Sequence, residues 1–590
     1  MNTKNLFYTI ILIGLLWSCG KDESPEPAKN NAPKTEAQTF TVAEDISDAI
    51  TIGTVKATDA DQDELTFSIS TNDNNLFEIS NSGSLSLASG KSLDFSVKAQ
   101  HQIVVSVTDG QDQKEADITI KVENVIESLA EEPDSFVTLW NIPESNFEIM
   151  VGTNMDYEYN YTIDWGDGVQ ENLTTQNPSH IYSQPGIYKV AIQGNFPAIS
   201  MGTLNPYLQS QVINVWESLV GIEQWGSIEW KSLKYAFAFC PNLEYHAEDV
   251  PDLQNVQDLS GMFLTGNLVE LDYNQQSVFN ADLSNWDVSN ITNMSAMFAN
   301  AREFTSDLSN WDVSNVTDMS GMFGDAMSFN SDLSKWDVSK VTDMSGMFRR
   351  AEVFNSDLSD WNVSNVTNMA SMFFGATSFN ADLSSWKVDN VIDMSWMFTQ
   401  AESFNSDISN WNVVNVTNMN SMFSNAILFN ANISNWEVDN VTDMGSMFAN
   451  AQSFNADIGG WNVGNVTDMQ GMFAYAQSFN ADIGGWDVSQ VDDMTIMFLE
   501  APKFDQDLEN WNLESLKFAF GMFNNSGISP VNLSTTIIGW ANNPSTSTDV
   551  PFGIDGLSIC DTNESLDAYT KLKENLQWEV ANDPNFVACQ

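Results

Sequence analysis

Side chains able to do acid–base, metal or nucleophilic chemistry are either scattered in this chain or repeated in regular columns. His101, His180 and His246 are its three histidines, and none lies within metal-ligand spacing of another. No HExxH, CxxC, GxSxG or phosphate-loop pattern occurs, so the sequence predicts no enzyme. Asp164 and Asp167 are close enough for an acid–base pair. They stand in Asp164-Trp165-Gly166-Asp167-Gly168, where the glycines make a turn with capping aspartates the simpler reading. A longer acidic row recurs every 25 residues: Asp282, Asp307, Asp332, Asp357, Asp382, Asp407, Asp457, Asp482 and Asp507, with Asn432 in the gap. Like charges in a row require cations or backbone N–H donors, and Asn432 suits donors as well as an aspartate does. Asn280, Asn330, Asn355, Asn380, Asn405, Asn430, Asn455 and Asn480 form a second row, expected to satisfy turn backbone from within. Tryptophans from Trp286 to Trp511 form a third, and with Val and Leu beside each one they read as core rather than as a sugar-binding ladder.

These columns belong to ten copies of one 25-residue unit, approximately F-N-x-D-L-S-x-W-D-V-S-N-V-T-D-M-S-x-M-F-x-x-A-x-x. A fixed period of this length marks a solenoid whose units bury their apolar faces only against neighbours. Met294, Met297, Phe298 and Ala301 show helical spacing, and Asp282-Leu283-Ser284 shows the alternation of a short strand. The expected repeat is therefore strand, turn, short helix, turn: a leucine-rich-repeat-like α/β solenoid. W-D-V-S-N-V-T-x-M with M-F-x-x-A resembles the BspA-like leucine-rich repeat surface proteins of Bacteroidetes. That resemblance implies an extracellular adhesin-type or ligand-binding role without catalysis. The repeats are assigned to 279–525, an irregular N-terminal cap to 211–278 and a C-terminal cap to 526–590.

The chain opens with Lys4, an apolar stretch from Leu6 to Trp17, and Ser18-Cys19-Gly20. The stretch is too short for a permanent span, and Leu16-Trp17-Ser18-Cys19 resembles a bacterial lipobox. Residues 1–18 are then a lipoprotein signal peptide, Cys19 the lipidated residue, and 19–30 a polar tether. Lys21-Asp22-Glu23 is similar to the tag that exports Bacteroidetes lipoproteins to the cell surface. The expected location is the outer membrane, surface-exposed and held by the lipid alone. Net charge is −58, from 80 acids and 22 bases, which argues against nucleic acid and anionic lipid as partners. Cys240 lies in an apolar run and reads as a buried small hydrophobe, while an oxidising exterior would permit a disulfide between Cys560 and Cys589.

Between the tether and the repeats, short alternating segments separated by Asp, Asn and Gly predict two β-sandwich modules, 31–125 and 130–210. In the first, Asn31-Ala32-Pro33, Glu44, Asp59-Ala60-Asp61, Leu93-Asp94-Phe95-Ser96 and Asp109-Gly110 follow the order of the cadherin calcium motifs. The resemblance implies calcium at both ends: Asn31, Asp59, Asp61 and Asp109 at one pole, Glu44 and Asp94 at the other. Oxygen ligands converging from separate loops suit a hard cation. Ser96 replaces the family's glutamate, which weakens the second pole. In the second module Trp165-Gly166-Asp167-Gly168 and His180-Ile181-Tyr182 with Pro185-Gly186-Ile187-Tyr188 resemble a PKD domain, a spacer. The sequence thus predicts a monomeric surface lipoprotein that binds extracellular proteins. The alternative is a glycan-binding component of a surface polysaccharide capture system.

Overall fold

A computed structural model describes residues 29–95, 97–123, 125, 128–204, 215–265 and 277–589. The signal peptide, Cys19, Lys21-Asp22-Glu23, most of the tether, Ser96 and Gly266 lie outside the described residues. The chain divides into two compact units, Met1–Glu127 and Ser128–Gln590.

The first unit is all β. Strands β1 (Gln38–Ala43), β3 (Thr66–Thr71), β6 (Gln100–Thr108) and β7 (Gln113–Glu123) form a four-stranded sheet in the order β1-β7-β6-β3. Strands β2 (Thr51–Thr54), β4 (Phe77–Ile79) and β5 (Ser84–Leu87) form a second sheet, in the order β2-β5-β4. Period-2 alternation sends Ile103, Val105, Ile118 and Ile120 of one sheet and Leu85 and Leu87 of the other into a shared core. β1 and β7 run parallel, from Gln38 opposite Ile118 to Ala43 opposite Glu123. The loops holding Glu44 and Asp109 therefore lie beyond opposite ends of β7. Eleven residues of strand separate those ends by roughly 35 Å.

The second unit begins with another β module. Its main sheet contains β8 (Phe136–Ile142), β10 (Asn160–Asp164), β11 (Gln170–Leu173) and β13 (Gly186–Asn195). β14 (Leu219–Gln224) and β15 (Glu244–Tyr245) extend it, giving the order β11-β10-β13-β8-β14-β15. β9 (Phe147–Met150) pairs with β12 (Ser179–Tyr182) as a separate ribbon. One hydrophobic core runs from Phe136 in this module through every repeat to Trp578.

The repeats correct the expected α/β plan. Between Phe279 and Gly527 the described residues contain neither helix nor extended strand; each unit is a series of turns with one isolated parallel bridge. Successive bridges join Asp258 to Asn293, Asn293 to Asp318, and onward to Phe518. The segment expected to be helical, Met294 to Ala301, shows why the spacing misled. Met294, Ala296, Phe298 and Asn300 donate their N–H groups to carbonyls of the next repeat (Asp318, Ser320, Met322 and Gly324, at 2.6–3.0 Å). The residues between them close four-residue turns instead: Met297 to Met294, Ala299 to Ala296, Ala301 to Phe298. Ala296 and Asn300 have φ of 52° and 61°, left-handed conformations that end any helix. Two four-residue turns in succession put side chains 3, 4 and 7 apart on one face, as a helix would. Leu283, expected in a strand, opens a turn instead, its carbonyl accepting the Trp286 N–H at 3.1 Å.

At the C-terminal end the stack meets α1 (Pro530–Asn542), capped by Ser529, and then α2 (Asn563–Thr570). α1 imitates a further repeat: Thr536 accepts the Leu508 N–H, and the Trp540 indole donates to the Leu508 carbonyl at 2.8 Å. Cys560 and Cys589 form a disulfide with their Cα atoms 5.4 Å apart.

Candidate metal centre and the repeat columns

Three acids meet at one end of the first unit. Asp59, Asp61 and Asp63 each place an oxygen within 4.8 Å of the others, on the loop that follows Ala57–Thr58. Asp61 accepts the Asn31 backbone N–H at 2.6 Å and the Asn31 amide at 2.9 Å. Asn30 reaches Asp109 at 2.9 Å and Asp112 at 2.8 Å, which brings the β6–β7 turn to the same end. The N–H of Asp112 foremost, then the Asn30 amide and the Gln111 N–H, hold the Asp109 carboxyl below its ordinary value. Asp59 Oδ1 accepts the Asp61 N–H at 2.7 Å, whereas Oδ2 is enclosed and meets no donor. An orphaned carboxylate oxygen beside two further carboxylates fits a hard cation. The donor set therefore suits calcium, with Asp59, Asp61 and Asp63 as the residues that would hold it.

The sequence reading included Asn31, Asp59, Asp61 and Asp109 but passed over Asp63, although alternate acids at 59, 61 and 63 were visible. Glu44 and Asp94 lie at the other end. Glu44 clamps loops there, accepting the Phe95 N–H at 2.9 Å and the Val125 N–H at 3.0 Å. Asp94 accepts the Val97 N–H at 3.2 Å.

In the second unit Asp164 is buried and accepts the Gly166 and Leu129 N–H groups at 2.9 and 3.0 Å. Asp167 bonds His180 at 2.8 Å, and that imidazole stacks on Trp165. The arrangement closes a turn, each aspartate being occupied by backbone or ring donors. His101 is similarly held by Asp73, and His246 lies between Glu223 and Glu244. Glu223 first, with Glu244, raises the His246 pKa despite partial burial. Cys240 is fully buried, and burial pushes its thiol pKa up.

The repeat columns turn inward. From Trp286 to Trp511 every repeat tryptophan is 0–4 % exposed. Beginning with Trp311, each indole N–H donates to the Leu or Ile carbonyl of the preceding unit at 2.9–3.1 Å. Asn330 Oδ1 accepts the Asn355 N–H, Asn355 accepts that of Asn380, and the ladder continues to Asp505 at 2.7–2.9 Å. In the acidic row Asp282 accepts the Ser284 N–H and Asp507 that of Glu509, both at 3.0 Å. Asn432 accepts the Ser434 N–H in the same way, at 3.1 Å. Backbone donors therefore answer the charges of that row. A further column went unread in the sequence: the bridge residues Asp318, Asp343, Asp393, Asp443, Asp468 and Asp493, each also bonding the N–H two positions on.

Comparison with known proteins gives two family matches. Residues 38–123 match the cadherin domain. Residues 231–358, 266–385, 356–455 and 428–535 match the family described as "Mycoplasma protein of unknown function, DUF285". These four matches together span more than half of the chain, which therefore belongs to the DUF285 family. No curated protein matches. Among solved structures, the third cadherin domain of human protocadherin 7 is 17% identical with a TM-score of 0.15, covering 17% of this chain and 95% of that one. Human protocadherin-24 EC1-2 is 16% identical with a TM-score of 0.17, covering 27% and 97%. The human desmocollin-1 ectodomain is 19% identical with a TM-score of 0.16, covering 25% and 27%.

Proposed function

We propose that this is a non-enzymatic, monomeric, BspA-like surface lipoprotein, anchored through Cys19 to the outer membrane, whose repeats bind extracellular proteins. The burial of the tryptophan column carries the choice of protein over glycan. An aromatic ladder for sugars must expose its ring faces, and these rings are enclosed and tied to the preceding unit. The cadherin match and the all-β first unit support an adhesive surface role, with the PKD-like module as a spacer. Calcium, held by Asp59, Asp61 and Asp63, would screen their mutual repulsion and stiffen that end of the first unit. The test has two parts. Protease added to intact cells should release the ectodomain, and Cys19→Ala should divert the chain to medium or periplasm. Purified ectodomain should bind immobilised extracellular proteins and not neutral glycans. Resistance to shaving, or binding confined to glycans, overturns the reading.

A further inference from the structure

Two positions in every repeat are left-handed, ten and fourteen residues after its tryptophan. Gly, Ser, Ala, Asn and Asp occupy most of them: Gly321, Gly346, Ser371 and Ser421 at the first, Asn300, Asp325, Asn425 and Asn450 at the second. Small or locally hydrogen-bonding residues suit this conformation, and bulky or β-branched ones strain it. Yet Trp396 and Ile496 stand at the first position, with φ of 54° and 51°, and Arg350 and Tyr475 at the second, with φ of 54° and 59°. Ile496 and Arg350 are half-buried, but packing does not explain Trp396 or Tyr475. Trp396 is 44% exposed and Tyr475 41%, against at most 4% for the repeat tryptophans. All four lie on the face that carries the repeat-to-repeat N–H ladder. Phe374 joins them there under the Arg349 guanidinium, and Phe520 is 59% exposed.

We propose that this ladder face is the docking surface for a partner protein that presents an apolar ridge flanked by basic residues. The proposal rests on the protein-binding reading above and names its site. Strain held at exposed bulky side chains is a mark of function rather than folding. Trp, Tyr and Arg are also the residues that dominate protein interfaces. Charge selects the partner. Asp325 pairs with Arg349 and Arg350 at 3.1 and 3.4 Å and offsets one of their two charges. The chain's overall net charge of −58 attracts basic partners and repels anionic lipid. Ile496 offers a sugar neither a flat face nor a hydrogen bond.

The experiment selects a displayed random-peptide library on the full chain and compares Trp396→Ser, Tyr475→Asn and Ile496→Gly, each the residue of neighbouring repeats. The expected binders combine aromatic or aliphatic anchors with Lys or Arg. Their affinity should fall tenfold or more in the variants, while each variant melts no lower than the parent. Binders unaffected by all three variants would leave protein binding intact and overturn this face as its site. Lowered melting temperatures would make the bulky residues structural and overturn it too. A library without binders, or Trp396-dependent binding to a glycan array or to phosphatidylglycerol vesicles, also overturns it.

Discussion

At the residue scale, Trp386 shows how one side chain does two jobs. Its ring is 2% exposed between Trp361 and Trp411, and its indole N–H donates to the Leu358 carbonyl at 3.0 Å. Trp386→Ala should destabilise the stack by about 3–5 kcal/mol through the cavity it leaves. Trp386→Phe keeps most of the apolar contact but strands the carbonyl, at about 1–3 kcal/mol. Denaturant titration of the purified ectodomain would check both, and a Trp386→Phe variant as stable as the parent would mean that the hydrogen bond adds nothing. Burial of this ring was legible, since Val388 and Leu383 accompany it in the sequence. The partner 28 residues back was not, because it depends on how far each unit advances along the stack. The acid loop carries a second prediction. Calcium should raise the melting temperature of the first unit by binding linkage, and Asp59→Asn or Asp63→Asn should remove most of that gain. A calorimetric transition indifferent to millimolar calcium would sink the assignment. The alternation Asp59-Ala60-Asp61-Gln62-Asp63 is visible in the sequence, and the folded loop shows that the third carboxylate reaches the first two.

At the element scale the unit is a turn system, and its acids titrate accordingly. In Asp282, Asp332 and Asp407 the neighbouring serine hydroxyl, then the serine N–H, lowers the pKa; in Asp357 and Asp382 the backbone bond leads. Their folded values lie below the ordinary 3.8, so the stability they contribute is complete above that pH. It is lost as pH falls through the folded values, so repeat unfolding should become easier below about pH 4. Asp468 has the opposite sign. Burial first, then Asp443 and Asp493 at the same position in adjoining units, raise its pKa. The folded state therefore prefers it protonated, and Asp468 opposes folding at neutral pH. Asn418 fills the same position in another unit and bonds the Asn420 N–H at 3.0 Å, so Asp468→Asn should preserve the turn. Thermal melts should show the variant more stable at neutral pH, with the gain vanishing at about pH 3. A gain that persists in acid would rule out the charge explanation. The turns themselves were poorly legible. Met294, Met297, Phe298 and Ala301 have helical spacing, and the left-handed φ at Ala296 and Asn300 separates the two structures.

At the scale of the whole molecule, the 25-residue period was fully legible, because every column, the Asn ladder, the Trp donors and the bridges, is indexed by it. Which parts of the period are rigid became visible only in the hydrogen bonds. From Met394 to Ala401 alternate N–H groups point to the next unit, while Met394, Met397, Phe398 and Ala401 point to the core. One residue added after Met397 exchanges donors for turn closers beyond it and puts Phe398 and Ala401 out of step with the core. The corner before each Phe-Asn carries less of this constraint. The spacing from Phe263 to Phe298 is ten residues longer than the period, the excess lying between Phe263 and Phe279 in the sequence, yet Phe263 still donates to Met297 at 2.9 Å. A single glycine inserted between Glu402 and Ser403 should therefore cost less than about 1 kcal/mol, as lengthening a surface loop does. The same glycine between Met397 and Phe398 should cost more than about 4 kcal/mol, in the range of a disrupted core. Near-neighbour coupling predicts that the damage spreads from that unit to those on either side. Tryptophan emission, shifting to the red as indoles meet water, with a denaturant titration, would distinguish the two insertions. If both proved equally tolerated, the alternating ladder would not be what fixes the register of the stack.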